Sequence, residues 1–204
     1  MSQVVEEIKK GNLIGRVVLD EEPMSPRSEF DNMGVMVCFH GRYDLGDKTG
    51  LNSKDFSSWN EVEEYLKKEK DAVVILPLYL YDHSGLRMKV GSFRGLLPQG
   101  HAEFDSGQVG FIYVSRETVK KEYGDLSKES IEKATKYLEG EVETYDQYLR
   151  GEVYAWHIVR KTKCSQCGDE NEETIDSCYG YYGDEEYVMN ELKSALESHA
   201  DKGK

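Results

Sequence analysis

The stretch VGFIYVSRETVKKEYGDLSKESIEKATKYLEGEVETYDQYL, residues 109–149, decides the fold class. Its first six residues, Val109 to Val114, are β-branched or aromatic apart from one glycine and read as a strand. Ser115 then caps a short helix reaching Tyr123, with Glu117 in the first turn, where a negative charge suits the helix dipole. From Ser127 onward Ile131, Ala134, Leu138, Val142, Tyr145 and Leu149 recur at spacings of three and four, which makes one apolar stripe along a long helix. Such a stripe has to pack on another element, and a sheet with helices laid on it meets that need. Gly140 weakens the helix by about 1 kcal/mol relative to Ala, so a slight bend or a close packing contact is expected there.

Working outward, AVVILPLYLYDHSG (72–85) contains a strand whose Pro77 suggests an edge position or a bulge. Leu86 to Val90 returns after the Asp-His-Ser-Gly turn, and Gly91 to His101 is a loop. Trp59, Val62, Tyr65 and Leu66 share a helical stripe that follows an N-cap at Ser57 or Ser58 and stops in KKEKD. GVMVCFH (34–40) is a near-continuous apolar run, expected as a strand covered on both faces or on a crowded one. Leu13 to Leu19 reads as a strand that ends at the breaker cluster Asp20 to Ser28. On the C-terminal side, Glu152 to Val159 and Thr174 to Tyr182 read as strands flanking a polar turn. A last helix from Asp184 to about Ser198 turns Val188, Leu192 and Ala195 inward. The elements lack a regular βαβα rhythm, so the expected fold is α+β. It is read as a single domain over residues 1–198 with a mixed or antiparallel sheet packed with about four helices, and 199–204 as a flexible tail.

The 204 residues carry 39 Asp and Glu against 26 Lys and Arg, a formal net charge of -13. That balance opposes direct binding of nucleic acid, whose affinity comes from cations displacing counterions at phosphates. Fourteen Tyr, 6 Phe and 2 Trp supply enough large apolar surface for a packed core. No run approaches the roughly 20 apolar residues that span a bilayer, and MSQVVEEIKKGN lacks the basic start and apolar run of a signal peptide, so a cytoplasmic location is expected. The four cysteines are too few and too unevenly spaced for a disulfide framework, which fits a reducing compartment.

Three constellations carry candidate chemistry. Asp82, His83, Asp105 and Asp146 would offer oxygen ligands and an imidazole for a metal-assisted hydrolytic site if the fold brought them together. Cys164 and Cys167 form a CxxC which, with Cys178 and His157, has the donor types of a zinc site. From Asp169 to Glu191 the chain has nine Asp and Glu and no Lys or Arg, interleaved with tyrosines, a surface suited to a basic groove. Phosphate loops of the GxxxxGKS or GxxxxGKT type, a GxGxxG turn and a GxSxG elbow are all absent, which disfavours nucleotide hydrolysis and serine hydrolase chemistry.

At SPRSEFDNMGVMVCFHGRYDLGD, AVVILPLYLYDHSG, FDSGQVGFIYVSRETVKKEYG, EVETYDQYLRGEVYAW and DSCYGYYGD the chain resembles an uncharacterised family of small acidic proteins carried by phages, plasmids and other mobile elements. The resemblance implies a setting in which compact acidic proteins inhibit host defence enzymes by occupying nucleic-acid sites; it transfers no catalytic residue. The expected function is therefore a non-enzymatic accessory protein, anti-restriction or anti-CRISPR-like, that binds and inhibits a basic nucleic-acid-processing host protein. The expected contact residues are Asp169, Glu170, Glu172, Glu173, Tyr179, Tyr181, Tyr182, Asp184, Glu185 and Glu186. Because the acids are dispersed among 26 basic residues, a local patch rather than a whole DNA-like face is expected. The alternatives are a small metal-dependent hydrolase and a zinc-stapled adaptor; no other cofactor is implied.

Overall fold

In chain order the elements are β1 (Val4–Lys10), β2 (Leu13–Leu19), α1 (Pro26–Glu29), β3 (Val35–Cys38), α2 (Trp59–Glu69), β4 (Ala72–Asp82) and β5 (Leu86–Val90), followed by α3 (His101–Phe104), β6 (Ser106–Ser115), α4 (Arg116–Tyr123), α5 (Lys128–Arg150), β7 (Val153–Lys163), β8 (Glu170–Tyr182) and α6 (Glu185–Asp201). The computed structural model describes residues 3–97 and 101–201. The fold is α+β with two four-stranded antiparallel sheets, ordered β1-β2-β7-β8 and β3-β6-β4-β5. Each sheet belongs to its own compact unit, one from Met1–Met24 with Gly151–Lys204 and the other from Ser25–Arg150.

In the continuous unit, β6 lies between β3 and β4 and shows why residues 109–114 are apolar without alternation. Ile112 and Val114 join Met36, Leu78 and the α5 stripe Ala134, Leu138, Val142 and Tyr145 in one cluster. Phe111 and Tyr113, on the opposite face, join Val37, Val62 and Leu66 beneath α2. With helices on both faces, every β6 side chain in this run is buried, and each fully buried Ile, Leu or Met contributes about 1.5–3 kcal/mol. β3 follows the same rule at the sheet edge, with Met36 under α5 and Val37 under α2. Gly110 is dictated by packing: a Cβ there would sit 1.9 Å from the Val37 carbonyl oxygen, so only glycine lets β3 approach this closely.

Pro77 sits in an internal strand, yet its position satisfies the edge rule locally. β5 covers β4 only from Leu78 to Asp82, and the Pro77 carbonyl points to that side, where it accepts from Gly91 N at 2.9 Å. The missing N–H therefore faces a place with no ladder partner, and the register shifts at Leu78/Tyr79 immediately after. Ser58 is the N-cap of α2, its Oγ accepting from Glu61 N at 3.3 Å, and Ser115 caps α4 in the same way through Thr118 N. Gly140 differs from expectation: no atom lies within 4 Å of a Cβ built there, so the helix keeps an exposed glycine without a packing reason.

In the other unit α6 lays Val188, Met189, Leu192 and Leu196 on Leu13, Val17, Trp156 and Ile158. Three corrections to the sequence reading arise here. β1 exists although VVEEIKK alternates poorly, because an edge strand half-covered by one helix carries charge on much of its surface. β8 starts at Glu170 rather than Thr174, pairing through to Lys163. α6 runs to Asp201, with His199 Nε2 at 2.8 Å from Asp176 Oδ2, so the expected tail from residue 199 is helical to 201; residues 202–204 lie outside the described residues. No helix among the described residues is long and apolar enough to cross a membrane.

Candidate functional site

The β4–β5 hairpin carries Asp82 and His83, and the start of β6 carries Asp105 beside them. Asp82 N donates to the Asp105 carbonyl at 2.9 Å, and His83 Nδ1 lies 3.2 Å from Asp105 Oδ2. The Asp82 carboxylate turns to the Arg42 guanidinium and accepts from the Tyr43 hydroxyl at 3.4 Å. Asp146 does not join this group. It is buried on α5, where Oδ1 accepts from Met88 N on the edge strand β5 at 2.6 Å and Oδ2 lies 3.5 Å from Arg150. Burial pushes its carboxyl pKa up, against the pull of the Met88 bond and of Arg150 and Arg87. The carboxylate thus supplies an acceptor to an edge N–H, and the expected four-residue hydrolytic set is not assembled. Among the described residues no group of three or more His, Cys, Asp or Glu is placed to hold a metal.

The zinc set also separates. Cys164 and Cys167 occupy the β7–β8 turn, closed by Cys164 N to Asp169 O at 2.8 Å and Gly168 N to Cys164 O at 2.9 Å, with Gly168 at φ 78. The backbone N–H groups of Cys167 and Gln166, and then the Cys167 thiol, donate to the Cys164 sulfur and bring its pKa down to about 7. Cys167 is pushed up, first by its bond with Asp169. His157 is seven residues back along an extended strand, roughly 23 Å at about 3.3 Å per residue. Cys178, paired with Trp156, packs into the core beneath α6, while neighbouring His157 meets the Tyr179 ring at 5.2 Å and a tilt of 53°, with its Nε2 buried and without a hydrogen bond among the described residues.

The acidic stretch divides into two surfaces of different character. On β8, Glu172 makes a two-pronged bond to Arg16 at 2.6 and 2.8 Å, while Glu170 and Glu173 face Lys161 and Arg160 at 3.5 and 3.9 Å. The strand acids are therefore largely compensated by their neighbours in the sheet. Tyr181 packs on the α6-side core and accepts from Trp156 Nε1 at 2.9 Å, and the Tyr182 hydroxyl donates to the Met24 carbonyl. Between Cys178 and Tyr181 the register shifts, so Tyr179 contacts His157 on the face away from α6. The second surface is the start of α6. Asp184 caps it through Glu186 N at 2.7 Å, Glu185 and Glu186 occupy its first turn, and Tyr187 is 58% exposed with its ring 6.1 Å from that of Tyr181. Asp184, Glu185 and Glu186 form no ion pair among the described residues.

Two features escape sequence reading. Arg27, only 3% exposed, is set by α1, whose N-cap is Ser25 and whose first residue is Pro26. Its guanidinium binds both Asp47 oxygens at 2.9 and 2.6 Å, Glu141 Oε2 at 2.7 Å and the Gly34 carbonyl at 2.8 Å. Glu141 Oε1 accepts from Met33 N and Gly34 N, and Asp47 Oδ2 from Met36 N, so every member is satisfied and α5 is tied to the entry of β3. Burial opposes the Arg27 charge, but the bonds to Asp47 and Glu141 outweigh it and the pKa is raised.

The second feature is a cleft of about 640 Å³ where β3 ends and α2 begins. Phe39 stacks between Phe56 at 6.0 Å and Trp59 at 5.9 Å, and Trp59 sets its edge against Phe111. His40 Nδ1 accepts from Arg42 N and Tyr43 N, which places the ring proton on Nε2. Cys38 beneath is no nucleophile, since burial and then Asp47 push its pKa up to about 12. The cleft combines the stacked aromatic wall with polar lining from His40, Asp44, Asn52, Ser53, Ser57 and Ser58, an arrangement suited to holding a planar group that carries hydrogen-bonding atoms. No family model, no curated protein and no solved structure matches this chain.

Proposed function

We propose that the protein is a non-enzymatic cytoplasmic accessory protein of a mobile element, which binds and inhibits a basic, nucleic-acid-processing host defence protein. One observation supports this reading above the others: the α6 start presents Asp184, Glu185 and Glu186 without ion-pair partners among the described residues, beside the exposed Tyr187 ring. Unpaired carboxylates next to an aromatic are attractive to Lys and Arg, which gain charge complementarity and a ring face at one place. The contact surface accordingly moves from the whole Asp169–Glu186 stretch to the α6 start, because Arg16, Arg160 and Lys161 occupy the acids of β8.

The test is affinity capture from host lysate with the natural chain and with Asp184→Lys, Glu185→Lys, Glu186→Lys combined. A basic protein retained at low salt, released near 0.5 M salt, displaced by duplex DNA and lost with the charge-reversed chain is the expected result, since the screening length shrinks from about 10 Å at 0.1 M to 3 Å at 1 M. Capture indifferent to both salt and charge reversal would overturn the reading.

A further inference from the structure

The cleft where β3 ends lies wholly within the Ser25–Arg150 unit and takes no part in the surface at the start of α6. Phe56, Phe39 and Trp59 form its wall, and all three rings are part-exposed. Centroids 6.0 and 5.9 Å apart make these offset stacks, which leave part of each ring face uncovered. Edge-to-face contacts with Tyr65 and Phe111 hold the two outer rings in place. Polar groups line the same space. His40 is fixed by Nδ1, which accepts from Arg42 N and Tyr43 N at 3.3 and 3.2 Å, and by its stack on the Tyr43 ring at 5.0 Å. Its Nε2–H has no partner among the described residues, and neither has the exposed Asp44 carboxylate, so a donor and an acceptor stand unused beside the aromatic wall. Two observations exclude a phosphate from what fits here. No Lys or Arg is found in the lining among the described residues. The start of α2, where an anion would otherwise be favoured, already holds a carboxylate: Glu61 Oε2 accepts from Ser57 N at 2.6 Å, and Ser58 Oγ accepts from Glu61 N at 3.3 Å.

We propose that this cleft binds a purine nucleoside. The base lies on the aromatic wall, a contact open to any π-face and larger for a two-ring purine than for a one-ring pyrimidine. A purine edge carries acceptor and donor atoms side by side, as N7 and the N6 amino group of adenine do, and these match the His40 Nε2–H and the Asp44 carboxylate. At about 640 Å³ the space is larger than a bare base fills, and the Ser53 and Ser57 hydroxyls in its lining suit a sugar. The lack of cations in the lining selects the uncharged nucleoside over its phosphate esters. The inference is independent of the proposed inhibitory function.

The experiment titrates the full chain with adenosine, inosine, cytidine, uridine and adenosine 5′-monophosphate by calorimetry, and follows Trp59 fluorescence in the Trp156→Phe chain. Adenosine and inosine should bind one per chain and quench Trp59, with cytidine, uridine and the monophosphate all weaker. Asp44→Ala, at an exposed position, should weaken adenosine binding about 2- to 10-fold. Trp59→Leu should weaken it roughly 5- to 150-fold. Tyr137→Ala removes an exposed ring outside the cleft and should leave the affinity unchanged. Circular dichroism checks that each variant is folded, and Asp44→Ala decides if Trp59→Leu is not. Absence of heat and quenching with adenosine and inosine raised to about 1 mM would overturn the proposal. So would adenosine affinity unchanged in Asp44→Ala, or a monophosphate or pyrimidine nucleoside that binds more tightly than adenosine.

Discussion

Replacing Arg27 by Met tests whether the charged cluster holds the Ser25–Arg150 unit together. The Arg27 and Glu141 side chains are 3% and 7% exposed and that of Asp47 is 21%, so removing the guanidinium leaves two carboxylates with little access to water. Breaking a buried ion pair from one side costs about 3–5 kcal/mol. The N–H bonds that Glu141 and Asp47 keep from Met33, Gly34 and Met36 place this site toward the lower part of that range. At about 2–4 °C per kcal/mol for a chain of this size, the midpoint should fall by roughly 10 °C. Trp59 lies in this unit and Trp156 in the other, so thermal unfolding followed by fluorescence in a Trp156→Phe background reads the relevant unit alone. Arg116→Met is the control: its partner Asp71 is exposed, and the loss should stay below about 1 kcal/mol. Adding Glu141→Gln to Arg27→Met should recover about 1–3 kcal/mol, because the amide oxygen still accepts the two backbone donors without a stranded charge. A loss for Arg27→Met no larger than that of the control would refute the account.

Gly140→Ala should stabilise the chain by about 0.5–1 kcal/mol, since the added methyl meets nothing within 4 Å, whereas Gly110→Ala should cost at least about 3 kcal/mol through its clash with the Val37 carbonyl; denaturant midpoints decide both. Asp146→Asn should lie within about 1 kcal/mol of the natural chain, because it keeps an acceptor for Met88 N, while Asp146→Ala should lose about 1–3 kcal/mol, a contrast that a metal-ligand role would not produce. In metal-free reduced protein, alkylation at the hairpin tip should accelerate as pH rises through about 7, where Cys164 becomes thiolate, and Cys38, pushed up to about 12, should stay unmodified until unfolding; peptide mass spectrometry reads both.

The elements that sequence discloses are those whose burial pattern is local. The α5 stripe, the 109–114 run and the Ser58 and Ser115 caps each depend on residues a few positions apart, and all are present in the fold. What was not legible depends on pairing at long range. Glu172 looks like part of an open acidic run until Arg16, 156 residues away, is set against it by β2 and β7. Arg27 reads as a loop residue because its partners stand 20 and 114 positions along the chain. Asp82, His83 and Asp105 meet at one sheet end, but nothing in the order of residues says that α5 would carry Asp146 to the edge of β5 instead. The zinc set fails for a simpler reason, since seven residues of strand are a long distance and the same seven residues of loop need not be.

The division of the sheet β1-β2-β7-β8 between the two ends of the chain has a consequence for synthesis. On the ribosome the β1–β2 hairpin is made first, and its inner neighbour β7 follows only about 130 residues later, on the order of ten seconds at typical elongation rates. Through that interval the β2 side destined for β7 is an open template, with Leu13, Val17 and Val18 uncovered. Glu6, Glu7, Lys9 and Lys10 on β1 sit beside it and act as gatekeepers that disfavour pairing with other nascent chains. The charges that blur β1 in the sequence thus have a use before the fold exists: they keep the first hairpin soluble while it waits for its partner strand.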